Sequence, residues 1–325
     1  MGDVGMTMPV VYAFAKAYPE VTITFLTKPF FKPIIESLPN VNSVAADVKG
    51  RHKGILGLWR LSRELKKRNI DAVIDLHNVL RSKLICLFLG KPIARINKGR
   101  ADKKALTRAK NKDFGQLKTT VQRYVDAFEA SGFKGIHPEQ LMQPDLVEKV
   151  SKFAGTDHKK WIGIAPFAAH KGKQYPLDLM KKVVGVLDQI GEVTLFLFGA
   201  PQEREALEQL AEGCNHIRIT AGTLDFKEEL NLIGHLDVML AMDSGNAHLA
   251  AMYGIPTVTV WGVTHPYAGF APFGQEMHCL LSDRVQYPEI PTSVYGNTLP
   301  EGYENVMHTI PPDRIIKKVK ELLNI

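Results

Sequence analysis

The run Met242-Asp243-Ser244-Gly245-Asn246-Ala247-His248 gathers a carboxylate, a hydroxyl, an amide and an imidazole around one glycine. An apolar, strand-like stretch (238–241) precedes it. A helical pattern follows, and then a second strand-like stretch (257–260). This is a βαβ unit with its polar residues at the strand-to-helix switch, where open parallel sheets bind ligands. Ser244 and Gly245 can leave backbone N–H groups free at the helix start, where the helix dipole adds to an anion site suited to phosphate. Asp243, at the carboxyl end of the strand, can accept hydrogen bonds from sugar hydroxyls. Asn246 and His248 complete the candidate ligand-binding group. The same residues also suit a plain helix cap by Asp243 or Ser244, with His248 merely packed.

Three other places carry similar chemistry. Lys173, in His170-Lys171-Gly172-Lys173-Gln174-Tyr175-Pro176, lies between a strand and a helix. A lysine there can neutralise a phosphate or diphosphate group, and an ordinary basic loop would look the same. Glu203 follows Gly199-Ala200-Pro201 and can accept from ribose hydroxyls, or simply complement a helix dipole. His77, Asn78 and Arg81 close a strand over 72–76 and can bind acceptor hydroxyls or carboxylates. Between Lys98 and Lys112, basic residues including Arg100 and Lys104 face a single acid, Asp102, which most simply reads as a solvated surface.

The elements that must position these groups alternate strand and helix throughout, the mark of an α/β protein. Helices are predicted over 9–18, 55–67, 81–89 and 116–130, and strands over 21–26, 41–45 and 72–76. Periodicity fades over 132–144, where a domain crossover is placed. The second half restarts with strands over 161–165, 194–198 and 216–219 and helices over 177–190, 202–212 and 226–233. Residues 268–304 read as irregular, and 311–323 as a last helix.

The chain of 325 residues is long enough for two cores. Its hydrophobic content of 45% is ordinary for a soluble globular protein. No apolar run spans a bilayer and no leader is visible, so a cytoplasmic protein is expected. Cys86, Cys214 and Cys279 are odd in number and far apart, which reads as reduced thiols. A net charge of +7 favours acidic partners. No dinucleotide fingerprint, P-loop, metal-ligand cluster or nucleic-acid module occurs, so neither a metal, a cofactor nor a nucleic-acid partner is expected.

The set Gly2-Asp3-Val4-Gly5, Lys173-Gln174-Tyr175-Pro176, Phe198-Gly199-Ala200-Pro201 with Glu203, and Asp243-Ser244-Gly245-Asn246-Ala247-His248-Leu249 followed by Gly254-Ile255-Pro256 resembles, in order, the heptosyltransferases of glycosyltransferase family 9. The resemblance covers essentially the whole chain. It implies a GT-B arrangement of two doubly wound, Rossmann-like domains. Residues 1–144 would bind acceptor and 145–310 a nucleotide-diphospho-sugar, with a last helix (311–325) packed back on the first domain. It implies Asp3 as general base, Lys173 at the leaving diphosphate and Leu224 against adenine. The basic stretch around Arg100 and Lys104 would face a phosphorylated glycolipid at the inner membrane surface. The implied activity is an inverting, metal-independent transfer of heptose from ADP-heptose to a lipopolysaccharide core. A transferase using another nucleotide sugar, or a catalytically silent homologue, is the alternative, because Ala168 and Ala169 stand where the family often carries hydroxyls. The family also implies an apolar strand ahead of the Asp3 loop. It is absent here, and the coding region is expected to begin upstream.

Overall fold

The apolar runs of the C-terminal half bury completely as parallel strands. In the computed structural model, which describes residues 1–36, 38–155 and 159–325, the N-terminal half carries α1 (Gly2–Ala17), β1 (Ile23–Thr27), α2 (Lys32–Ile35), β2 (Val41–Ala45), α3 (Gly54–Lys66), β3 (Val73–Asp75), α4 (Leu80–Leu89), β4 (Ile93–Arg95), α5 (Arg100–Leu106) and α6 (Thr120–Glu129). The C-terminal half follows with α7 (Glu148–Ala154), β5 (Lys160–Ala165), α8 (Leu177–Asp188), β6 (Val193–Leu197), α9 (Arg204–Ala211) and β7 (Ile217–Ile219). It ends with α10 (Phe226–Ile233), β8 (Val238–Met242), α11 (Gly245–Met252), β9 (Thr257–Trp261), β10 (Cys279–Leu281) and α12 (Pro312–Leu323).

The chain divides into two compact units. The larger comprises Met1–Met6, Ala101–Leu117 and Gln140–Ile325, the smaller Thr7–Arg100 and Lys118–Glu139. The crossover near residue 144 thus falls close to one boundary. Two shorter N-terminal pieces nevertheless belong with the C-terminal body.

In the larger unit six strands pair in the order β10-β9-β8-β5-β6-β7, all parallel. The chain runs outward from β5 through β6 to β7, returns to β8 and runs out the other way, so the strand order reverses between β5 and β8. Strands β6, β8 and β9 are buried at every residue, as expected where helices cover both faces. The last helix, which the resemblance places on the N-terminal domain, buries Ile315, Val319 and Leu323 in this unit's core, with Met180, Val183 and Leu187 of α8.

The smaller unit is built differently. Its strands form two separate two-stranded parallel sheets, β1 with β2 and β3 with β4. These strands are largely half-buried despite apolar residues such as Ile23, Phe25 and Val73, so a continuous doubly wound sheet is not formed by the described residues. Compensation comes from helices: Phe14 of α1 stacks with Phe128 of α6 and with Phe133, at ring separations of 4.7 and 4.8 Å. Helices α3 and α4 share a small core of Leu58, Leu61, Leu65, Ile85 and Leu89.

Candidate active site

The first residues depart from the expected loop. Gly2-Asp3-Val4-Gly5 is the opening of α1, with Pro9 inside the helix and not at its start. Glycine and proline argue locally against a helix. What outweighs them is a close approach to α11. A Cβ at Gly2 would stand 3.1 Å from His248 Cδ2, and one at Gly5 3.2 Å from His248 Cβ and 3.3 Å from its backbone carbonyl carbon. The two glycines, one helical turn apart, let α1 lie directly on His248. Asp3, in the first turn, acts electrostatically on that imidazole.

Asp243 and Lys173 meet where the strand order reverses. Lys173 ends a single 3-10 turn (Lys171–Lys173) after β5, and Asp243 directly follows β8. Lys173 Nζ lies 2.9 Å from Asp243 Oδ2, with the side chains only 14% and 10% exposed. Thr264, just past β9, donates from Oγ1 to the same Oδ2 at 2.8 Å. The lysine is therefore sheltered, and the aspartate, read from the sequence as an acceptor for sugar hydroxyls, already holds two donors. The reason is burial: a carboxylate this enclosed requires compensation, and an ammonium with a hydroxyl supplies it.

Two packing contacts hold the lysine loop. Val263 N–H donates to Gly172 O at 2.9 Å, and Gly262 has no Cβ where the Gly172 carbonyl abuts it. From the other side Gly296, at φ 80°, leaves room for the Lys173 stem: a Cβ there would run into that stem and stand 3.3 Å from the Thr264 methyl.

At the head of α11, Ser244 occupies the cap position but makes no capping bond. Among the described residues its Oγ and His248 Nδ1 are buried polar atoms without a hydrogen-bond partner. A ligand or a water can supply the partners such atoms need. The plain-cap alternative is therefore not realised. Burial pushes the His248 imidazole down to about 4, against the pull of Asp243 and Asp3, so it is neutral at physiological pH. Gly245 lies under the Met1 side chain, and Asn246 is half-buried on the first turn.

The remaining residues divide. Glu203 accepts the Ala200 N–H at 2.7 Å, closing the turn ahead of α9, the local role its position allows. Leu224 is buried, near Thr223, whose Oγ1 accepts from Arg204 Nη1. In the smaller unit Asp75 Oδ1 accepts the N–H groups of His77 and Asn78 at 3.1 and 2.8 Å. Arg100 Nη2 donates to Asn78 O at 3.2 Å. These residues form one cluster at the end of β3, with Arg81 exposed on the first turn of α4. Lys104 lies in the larger unit. No group of three metal-ligating side chains occurs among the described residues.

Thr264 was invisible to motif reading. Its position just past a buried strand, next to the two other strand ends that carry polar residues, is the signal that could have found it. The same holds for Gly262 and Gly296, which act only through the space they leave.

The profile of glycosyltransferase family 9 (heptosyltransferase) matches residues 58–298. The chain is 27% identical over 347 aligned positions to the lipooligosaccharide heptosyltransferase 2 of Haemophilus influenzae, covering 99% of this chain and 96% of that protein. It is 23% identical over 347 positions to the lipopolysaccharide heptosyltransferase 2 of Escherichia coli, with 99% and 96% covered. A family 9 glycosyltransferase structure from Veillonella parvula superposes with a TM-score of 0.77 at 21% identity, covering 100% of this chain and 94% of that one. The E. coli heptosyltransferase WaaC with ADP-2-deoxy-2-fluoro heptose superposes with a TM-score of 0.70 at 19% identity, covering 99% and 96%. The parallel α/β architecture is thus that of the heptosyltransferase fold, and the family match makes the chain a glycosyltransferase. The chain belongs to glycosyltransferase family 9.

Proposed function

We propose that this enzyme transfers heptose from ADP-heptose to the core of a lipopolysaccharide, with inversion and without a metal ion. The observation that carries the reading is the convergence of Lys173, Asp243 and the orphaned Ser244 and His248 atoms at the switch point of the donor-side sheet. That heptosyltransferase relatives match nearly end to end supports it, as does a similarly folded heptosyltransferase solved with an ADP-heptose analogue.

In this reading the diphosphate sits at the start of α11, where free N–H groups and the helix dipole favour an anion. Asp243 holds the Lys173 ammonium in place at 2.9 Å. As the bond to the anomeric carbon breaks, negative charge builds on the ADP oxygen, and the lysine ammonium stabilises it in place of a metal ion. Oδ1 of Asp243 is assigned to a donor hydroxyl, because both described contacts fall on Oδ2. Asp3 accepts the proton of the acceptor hydroxyl as its oxygen bonds to the anomeric carbon. Glu203 and Leu224 are assigned to ribose and adenine. The cluster of His77, Asn78, Arg81 and Arg100, with Lys104, is assigned to the phosphorylated glycolipid acceptor, met at the cytoplasmic face of the inner membrane. No cofactor and no nucleic acid takes part.

The test is turnover of ADP-heptose with a heptose-deficient core glycolipid in the presence of EDTA, and the anomeric configuration of the product by NMR. Transfer with inverted configuration at an undiminished rate supports the reading. Turnover only with UDP- or GDP-sugars, or none with any donor, overturns it.

A further inference from the structure

The outer faces of α3 and α4 carry an uncommon mixture. In α3 every exposed residue other than Gly54 is either large and apolar or cationic: Ile55, Leu56, Trp59, Arg60, Arg63 and Lys66. In α4 the exposed residues are Leu80, Arg81, Lys83 and Leu87. The apolar side chains are far from grazing exposure: Leu56 is 81% exposed, Leu80 75%, Leu87 69% and Ile55 64%. The only acid of α3, Glu64, is half-buried and turned to Arg51 and His52. The opposite face of α3 packs Leu58, Leu61 and Leu65 with Ile85 and Leu89 of α4, and Ser62 Oγ reaches Ile85 O at 3.4 Å. The two helices therefore lie side by side, and neither exposed face carries an acid.

A solvated face would carry charges of both signs, and an unfinished core would not carry five cations. We infer that the α3–α4 face docks on an anionic phospholipid bilayer, with Ile55, Leu56 and Trp59 entering the interface and Arg60, Arg63 and Lys66 meeting lipid phosphates. Lysine and arginine suit that arrangement because their stems lie along apolar surface while the charge reaches the headgroups. Trp59, with the Arg63 guanidinium over its ring at 5.2 Å, has the amphipathic character of residues that settle at that depth. Nucleic acid would use the cations and leave the exposed leucines without purpose. No helix among the described residues is long and apolar enough to cross a membrane, so this is a lateral, reversible contact of the interfacial type. The inference rests on the proposed function only in giving the contact a purpose, delivery of the enzyme to a lipid-borne acceptor, and its test requires no turnover.

The experiment is co-sedimentation of the full chain with phosphatidylglycerol–phosphatidylethanolamine vesicles and with phosphatidylcholine vesicles, at low and high salt. The protein is expected to partition onto the anionic vesicles and weaken with salt. Partitioning should drop about tenfold or more both in Leu56→Ser/Trp59→Ser and in Arg60→Ala/Arg63→Ala, with melting temperature and ADP binding unchanged. Should the first pair melt early, Leu56→Ser alone decides, because that side chain makes few contacts to lose. Failure of the parent to bind anionic vesicles, or unchanged binding by the variants, overturns the proposal. So does a parent dimer that Leu56→Ser/Trp59→Ser converts to monomer, since the face would then join two copies. Vesicle binding without ADP-heptose binding would count against the proposed function and leave this surface standing.

Discussion

Lys173 Nζ stands 2.9 Å from Asp243 Oδ2, and the pair joins the ends of β5 and β8 across the point where the strand order reverses. The ion pair is both a structural tie and the cation proposed for the leaving group, so stability and chemistry can be separated by changing its two halves in turn.

Lys173→Met leaves a buried carboxylate with only Thr264 to compensate it. Loss of one partner of a buried pair costs about 3–5 kcal/mol, read as a lower urea midpoint. Adding Asp243→Asn should return much of that loss while turnover stays reduced by on the order of 10²-fold or more. Recovery of turnover together with stability would show the lysine to be purely structural.

Thr264 is the positioning partner. Thr264→Val removes the hydroxyl from a buried carboxylate and should cost about 1–3 kcal/mol. Thr264→Ser should behave like the parent in both melting and turnover. A serine variant as impaired as valine would mean that the methyl beside Gly296 matters as much as the hydroxyl.

The His248 imidazole, held down to about 4 by burial, differs from its value of 6.5 in the unfolded chain. Between those values the unfolded chain binds a proton that the folded protein does not. Stability from this group is therefore present above pH 6.5 and lost as pH falls toward 4. The whole effect is about 3 kcal/mol at most. Glu229, raised to about 7 by burial, works in the opposite sense, gaining stability as pH falls through the same region. The difference between parent and His248→Leu isolates the histidine. Urea melts at pH 7 and pH 5 should show the parent losing more stability than the variant. Equal losses would contradict a buried, neutral His248.

Gly5→Ala places a methyl against the His248 backbone, which has no flexible end to move aside. The expected result is a loss of about 1–3 kcal/mol together with slower transfer, because α1 and Asp3 must shift off α11. An alanine variant with parental melting and turnover would show that the two helices have slack.

Much of the larger unit was legible in the sequence because burial on both faces produces continuous apolar runs. The helix predicted over 226–233 and the strands predicted near β5, β6 and β9 fall on the observed elements within a residue or two. The short strands β4 and β10 and the helices α5 and α7 were missed, being too brief for a period to develop. The start of α1 was misread because its glycines are tertiary in purpose: they make room for His248, and no local rule carries that information. The motif residues can be named from the sequence, but not the pairing of Lys173 with Asp243. That Lys173 and Asp243 would neutralise each other follows from three-dimensional convergence of strand ends 70 positions apart, and Thr264 enters for the same reason.

The first turn of α1 and the switch point of the larger sheet are proposed to form one transferase site, with Asp3 as the base. The most direct measurement is a single-turnover assay of ADP-heptose transfer to the core glycolipid by the parent and by Asp3→Asn, with ADP-heptose binding measured in parallel. Asp3→Asn is expected to bind the donor like the parent and to transfer on the order of 10²–10⁴ times more slowly. Transfer by Asp3→Asn at the parental rate would contradict it.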